Sequence, residues 1–278
     1  MVSDPLTLGV LVLVGLGVSI FTSMIGGMGG PVYIPLLIFG FDFSIHMAIP
    51  LSLATMIPTA AFGSWGHYKR GDIFIRGGLF LAAFAFVGVA IGTFLSTVIA
   101  EKPLELFFGI VLIMFTYPLY LERSSRSQRQ LTMSAENEAV ECLIHPFSVG
   151  VVQELEFGIV GFASGLTAGL FGVSGAATLV VGLFLLGISA EVVAGTSLFV
   201  LLFKAIFGFG WHTAIGAHFP LQVAGALVIG TTVGANIGPR LLDVLGDHVD
   251  PVLGLMFLVL DFVLGLLMIA SGAELLAL

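Results

Sequence analysis

Charged residues are scarce in this chain, and their scarcity excludes a soluble protein. Asp, Glu, Lys and Arg together make up 9% of the 278 residues, whereas soluble domains carry roughly 25%. Hydrophobic residues make up 58%, and apolar stretches long enough to span a bilayer recur along the chain. We therefore expect an all-α polytopic protein of the inner (plasma) membrane, with the lipid bilayer as a partner.

Cysteines and basic clusters are also rare. The single Cys142 excludes an internal disulfide and a cysteine metal cluster. There is no basic patch with interleaved aromatic residues, so nucleic acid is not expected as a partner. The sequence predicts neither a metal nor a cofactor, and it leaves a homodimer open.

What the chain does contain is an internal duplication. Its only two tryptophans, Trp65 and Trp211, lie 146 positions apart, and Gly26 and Gly172 match at the same spacing. Such pairs favour two related halves over one continuous domain. We expect three parts, which are a first membrane repeat (1–121), a cytoplasmic linker (122–147) and a second membrane repeat (148–278).

Each half divides into five apolar stretches, and the second of them is too short to cross the hydrocarbon, which takes about 20 residues. The stretches cover residues 5–24, 31–40, 44–64, 74–99 and 103–121, then 150–170, 176–188, 190–210, 219–241 and 251–272. Glycines precede both short stretches, in GGMGGP and FGVSGAA. Broken backbone at membrane depth survives only where it is buried in protein or lines a cavity. We expect short broken helices after glycine turns near the midplane.

Basic residues indicate the orientation of the two halves. Two loops carry six of the nine Lys and Arg residues, and we expect both loops to be cytoplasmic; the residues are Lys69, Arg70, Arg76, Arg123, Arg126 and Arg129. The loop of the second half that corresponds to Lys69–Arg76 carries no Lys or Arg. This asymmetry favours an inverted second repeat, a common plan among transporters.

Helices that begin inside the membrane present free N–H groups and the positive end of the helix dipole, which suits an anion. The candidate anion-binding residues at the two turns are Gly26, Gly27, Gly29, Gly30, Gly172, Ser174 and Gly175. Close helix packing is the alternative role for these glycines. A second set of candidates is formed by Ser52, Thr196 and Ser197, whose hydroxyls could instead bond to a preceding carbonyl.

Lys204 is the most informative charge. It lies deep in the apolar run 192–209, where a lysine is costly to keep and is a functional candidate by default. Ser197 and Lys204 fall on one helical face, and the counterpart of Lys204 in the first half is Pro58. An ammonium in low dielectric attracts an anion, so we expect an anionic cargo. The alternative is a side chain whose head reaches the membrane interface.

Asp261 is the other candidate within an apolar stretch. It lies about ten residues into the last one. Two roles are open for it, a structural pairing with Lys204, which we favour, and proton coupling.

The glycine turns in GGMGGPVYIPLL and FGVSGAATLVVG, each followed by a small-polar AIPLS or AGTSL element, resemble the sulfite exporter TauE/SafE family. SWGHYKRGD, GVAIGTFL and GANIGPRL fit the family too. The resemblance implies a transporter of small sulfur-containing anions such as sulfite and organosulfonates, sulfoacetate among them, moved outward across the bacterial inner membrane. It also implies that the two glycine turns are central and that Thr196 and Ser197 form the second polar element.

Two alternatives to a transporter remain open at this point. A passive anion channel would use the same glycine turns. An intramembrane serine protease of the rhomboid kind would use Ser174 of the G-x-S-G sequence with His212 or His218. Against the enzyme, the counterpart of Ser174 in the first half is Met28 although the glycine frame is shared, so we expect no catalytic residues.

Overall fold

The computed structural model describes residues 4–24, 30–114, 116, 151–185, 188, 190–217, 219–245 and 250–273, and the regular elements there are all α-helices. They are α1 (Pro5–Met24), α2 (Gly30–Phe41), α3 (Ile45–Arg70), α4 (Ile75–Val98), α5 (101–114), α6 (Val151–Phe171), α7 (Ala176–Leu185), α8 (Ala190–Ala214), α9 (Leu221–Leu245) and α10 (Asp250–Ala273). Within these ranges, α1, α3, α4, α8, α9 and α10 are long and apolar enough to cross a membrane. The expected all-α polytopic fold is confirmed. The linker 122–147 lies outside the described residues.

The helix boundaries repeat at the spacing found in the sequence. Helices α1 to α4 begin at residues 5, 30, 45 and 75, and α6 to α9 begin at residues 151, 176, 190 and 221. The second helix of each series is short, 12 residues in α2 and 10 in α7, as expected. Matching helices also have matching neighbours, because α1 packs against α9 and α4 packs against α6.

Glycines let the paired helices approach until their backbones touch. A Cβ added at Gly88 of α4 would meet the Phe162 carbonyl oxygen of α6, and one at Gly92 would meet that of Leu166. The α1–α9 pair has the same contact, since a Cβ at Gly230 would meet the Val12 carbonyl oxygen. These glycines serve helix packing, the use that membrane helices commonly make of small residues.

Substitution of Gly88 by alanine is expected to destabilise the protein by about 1–3 kcal/mol, because the new methyl group forces α4 away from α6. Gly17→Ala is the matched control, since no atom lies within 4 Å of a Cβ built there. Thermal unfolding in detergent should therefore show a lower midpoint for Gly88→Ala than for Gly17→Ala. Equal midpoints would show that the α4–α6 contact is not close-packed.

The direction of the helices follows from which glycines touch which residues. Along α4 and α6 the contacts advance together, Gly88 with Phe162 and Gly92 with Leu166, so these helices run parallel. Between α3 and α8 the order reverses, because Gly63 of α3 meets Leu198 whereas Gly208 of α8 meets Leu53. The two matching helices α3 and α8 are thus antiparallel.

The pair α3–α8 forms the middle of the molecule. Helix α3 is the most deeply buried of the candidate membrane spans in the described chain, with 67% of its apolar span inside the protein. Its side chains Ile49, Leu53 and Met56 belong to the largest apolar cluster, together with Leu201 and Ala205 of α8. The short helices α2 and α7 each pack against this pair, α2 on α3 and α7 on α8. The core therefore surrounds the starts of the two broken helices.

Candidate functional site

The second glycine turn, residues 172–175, interrupts the membrane helix between α6 and α7. Gly172 and Gly175 adopt positive φ angles of 62° and 54°, which glycine reaches at no steric cost. The turn is buried, with Ser174 only 3% exposed. Glycine is required here for backbone conformation, and the result is a helix, α7, that begins inside the protein.

Lys204 of α8 reaches this turn. Its side chain is fully buried, so its head does not reach the membrane interface. The Nζ atom donates to Ser164 Oγ at 2.5 Å and to the Ser174 carbonyl oxygen at 2.6 Å. A Cβ on Gly175 would lie 3.1 Å from the same nitrogen, so the ammonium rests directly on the turn. An ammonium has three hydrogens, and the described residues accept two of them.

No carboxylate neutralises this lysine within the described ranges. The ion pairs found there involve His67, Arg70 and Lys102 as cations, and none of them involves Lys204. A buried charge is ordinarily paired. The sequence-based expectation of a Lys204–Asp261 pair is wrong, because Asp261 Oδ2 lies 2.8 Å from Thr116 Oγ1 instead.

The start of α2 meets the second glycine turn. A Cβ added at Gly30 would lie 3.1 Å from the Gly172 carbonyl oxygen and 3.1 Å from Val173 Cα. Ser52 of α3 donates its hydroxyl to the Gly172 carbonyl at 3.0 Å. The two halves thus touch where the broken helices begin. Gly26, Gly27 and Gly29 lie outside the described residues.

Thr196 and Ser197 lie toward the start of α8, about two turns before Lys204. Thr196 Oγ1 accepts a hydrogen bond from the Phe74 backbone N–H at 3.0 Å, so it holds the loop before α4. It is eight residues from Lys204, about 12 Å along the helix axis. The Ser197 hydroxyl is buried and has no hydrogen-bond partner among the described residues. A direct role of either residue in anion binding remains a prediction.

Ser164 is a candidate that sequence reasoning missed. It lies 40 residues before Lys204, yet it accepts the lysine's hydrogen bond and donates to the Gly175 carbonyl at 3.3 Å. The sequence contains one indication of its role, which is that a polar residue replaces an apolar one between the halves. The counterpart of Ser164 in the first half is Val18, just as that of Lys204 is Pro58. Both polar residues are therefore unique to the second half.

His212, which the protease alternative would use as its base, contacts a backbone carbonyl of α6. His212 lies in the last turn of α8, is 2% exposed, and has Nε2 at 3.4 Å from the Gly169 carbonyl oxygen. His218 lies outside the described residues. Among the described residues no group of three or more His, Cys, Asp or Glu side chains could hold a metal ion.

This arrangement has the chemistry to attract an anion. A helix N-terminus and a buried ammonium add their positive potentials at one place, and low dielectric strengthens both.

Two relatives of this chain are named as probable membrane transporters. The chain is 29% identical over 238 residues to the "Probable membrane transporter protein YdhB" of Bacillus subtilis, covering 83% of this chain and 88% of that protein. It is 26% identical over 243 residues to the "Probable membrane transporter protein YunE" of the same organism, covering 82% and 86%. No solved structure matches it.

The profile of the family described as "Sulfite exporter TauE/SafE" matches residues 11–268, nearly the whole chain. A membrane transporter is not a class of enzyme, and the apolar helices fit a multi-pass protein of the cell membrane. The chain therefore belongs to the sulfite exporter TauE/SafE family of membrane transporters.

Proposed function

We propose that this protein is a secondary transporter that exports a small sulfur-containing anion, sulfite or an organosulfonate such as sulfoacetate, by alternating access. The carrying observation is the fully buried Lys204 ammonium on the turn that opens α7, without a carboxylate within 4.0 Å among the described residues. The family description supplies the sulfur chemistry.

The cycle that we propose uses two halves of opposite orientation. Support comes from the antiparallel arrangement of the matching helices α3 and α8. Two helices related by a rotation axis in the membrane plane run antiparallel, as inverted repeats require. Rocking of one half against the other would then expose the turn at residues 172–175 to each side in succession.

The membrane potential favours outward movement of an anion. With the cell interior negative, each elementary charge contributes about 2.3 kcal/mol per 100 mV. A dianion such as sulfite would gain about 4.6 kcal/mol on leaving, which corresponds to over a thousandfold in concentration. Export therefore proceeds with or without an accompanying proton.

The test is anion flux in proteoliposomes under an imposed membrane potential. We expect saturable flux of sulfite or a short sulfonate that follows the potential and is accelerated by the same anion on the opposite side. Sulfate serves as the control anion. Flux that does not saturate and shows no counterflow would indicate a channel. Absence of flux for every sulfur anion would refute the proposed cargo and leave the membrane fold untouched.

A further inference from the structure

Asp261 lies at the middle of α10, far from both ends of a helix that spans residues 250–273. It is 1% exposed. It belongs to the buried stripe of this helix, one turn from Phe257, which packs with Val32 of α2. An ionisable group at that depth is a functional candidate, and its charge state decides what it does.

Hydrogen bonding indicates the charge state. Thr116 Oγ1 lies 3.0 Å from the Leu112 carbonyl oxygen and 2.8 Å from Asp261 Oδ2. A hydroxyl has a single hydrogen, so both contacts are full hydrogen bonds only if the Asp261 carboxyl supplies one. Asp261 Oδ1 has no partner among the described residues, whereas an ionised carboxylate can accept about four hydrogen bonds.

Among the described residues, the surroundings of Asp261 offer no compensating cation. The helices that contact α10 here are α1, α2 and α5. Tyr33 of α2 directs its hydroxyl to the Gly15 carbonyl and Thr231. The titratable residues of α5 lie toward its start, and they are Glu101, Lys102 and Glu105. Glu105 is eleven residues from Thr116, about 16 Å along the helix. An ionised Asp261 would be a buried, unpaired charge.

We propose that Asp261 is a proton-binding site that is loaded in this conformation and emptied in another step of the transport cycle. The inference rests on the proposed transport function. Loss of the proton would leave a bare carboxylate between α5 and α10, so release requires water to enter and these helices to separate. Phe257 lies one turn from Asp261 on α10 and packs with Val32 of α2. A movement of α10 therefore reaches α2, one of the two broken helices. Proton release and helix movement are then the same event.

The control for this proposal is a second buried carboxyl in the same helix pair. Glu105 is 4% exposed, but it accepts hydrogen bonds from Lys102 Nζ at 3.1 Å and from Ser271 Oγ at 2.7 Å. A cation lies beside Glu105, whereas none lies beside Asp261 among the described residues. Glu105→Gln therefore removes a carboxyl of similar burial without removing the proposed proton.

Infrared spectroscopy of the reconstituted protein tests the proton directly. We expect a carbonyl stretch of a protonated carboxylic acid at neutral pH that is lost in Asp261→Asn and kept in Glu105→Gln. Thr116→Val retains the acid but removes its hydrogen-bond partner, so the band should move to higher frequency. A wild-type spectrum without such a band, or one unchanged in Asp261→Asn, would overturn the proposal whatever the cargo is.

Flux measurements test the coupling. A pH gradient imposed at zero membrane potential should drive anion flux in the wild type and in Glu105→Gln, and this response should be lost in Asp261→Asn. Counterflow without any response of the wild type to the pH gradient would overturn the coupling and keep the transport function. Absence of counterflow would refute the cargo, and the infrared band alone would then decide whether Asp261 holds a proton.

Discussion

Replacement of Lys204 by methionine is expected to abolish anion transport. Methionine keeps an unbranched, apolar stem but removes the charge and the hydrogen bonds to Ser164 Oγ and the Ser174 carbonyl. A unit charge 4 Å from an anion contributes about 4 kcal/mol at an effective dielectric constant of 20, roughly a thousandfold in affinity. Sulfite counterflow into liposomes that contain equal amounts of folded protein measures the loss.

A matched variant separates the charge of Lys204 from its structural contacts. Lys204→Met also removes the hydrogen bond to the Ser174 carbonyl, which contributes about 1.5–3 kcal/mol of stability when the donor is charged. Ser164→Ala removes one contact of the lysine and leaves the charge in place. We expect Ser164→Ala to transport far better than Lys204→Met. Equal losses in the two variants would mean that Lys204 only tethers the turn.

Within the second glycine turn, alanine substitution is expected to be most damaging at Gly175. An alanine at φ 54° costs about 1–2 kcal/mol in backbone energy alone. Its Cβ would also lie 2.5 Å from the Ser164 carbonyl oxygen, which cannot withdraw without disturbing α6, and 2.9 Å from Thr167 Oγ1. The turn must shift, and the Lys204 ammonium that rests on it must shift too. We expect both a lower unfolding temperature and a loss of transport.

The control for Gly175→Ala is Gly210→Ala in α8. No atom lies within 4 Å of a Cβ built on Gly210, and alanine favours a helix over glycine. Gly210→Ala should therefore transport at the wild-type rate and unfold at an equal or higher temperature. Wild-type transport by Gly175→Ala would show that the backbone of this turn is not part of the anion pathway.

Much of the architecture could be predicted because it depends on local pattern. The lengths of the apolar stretches predicted the helices, and the spacing between Trp65 and Trp211 predicted the internal duplication. The glycine turns marked the breaks, since Gly172 and Gly175 needed a conformation that other residues avoid. Burial of Lys204 followed from its depth in an apolar run, where an unpaired lysine is rare unless it has a function.

The partners of the buried polar groups could not be predicted, because they depend on how distant helices pack. Asp261 was expected to pair with Lys204 on charge alone, but α10 lies beside α5, and Thr116 is its partner. Thr196 was grouped with the site by its neighbour Ser197, although its hydroxyl bonds to Phe74 of another loop. One turn of a helix decides which neighbour a hydroxyl meets, and sequence spacing does not contain that information.

The most direct test of the account is sulfite binding to purified wild-type protein and to Lys204→Met, measured by isothermal titration calorimetry in lipid nanodiscs. The account predicts saturable binding by the wild type and an affinity lower by roughly a hundredfold or more in the variant, since 1.4 kcal/mol equals tenfold. Equal affinities of the two proteins, with both correctly folded, would contradict an anion site at the turn that opens α7.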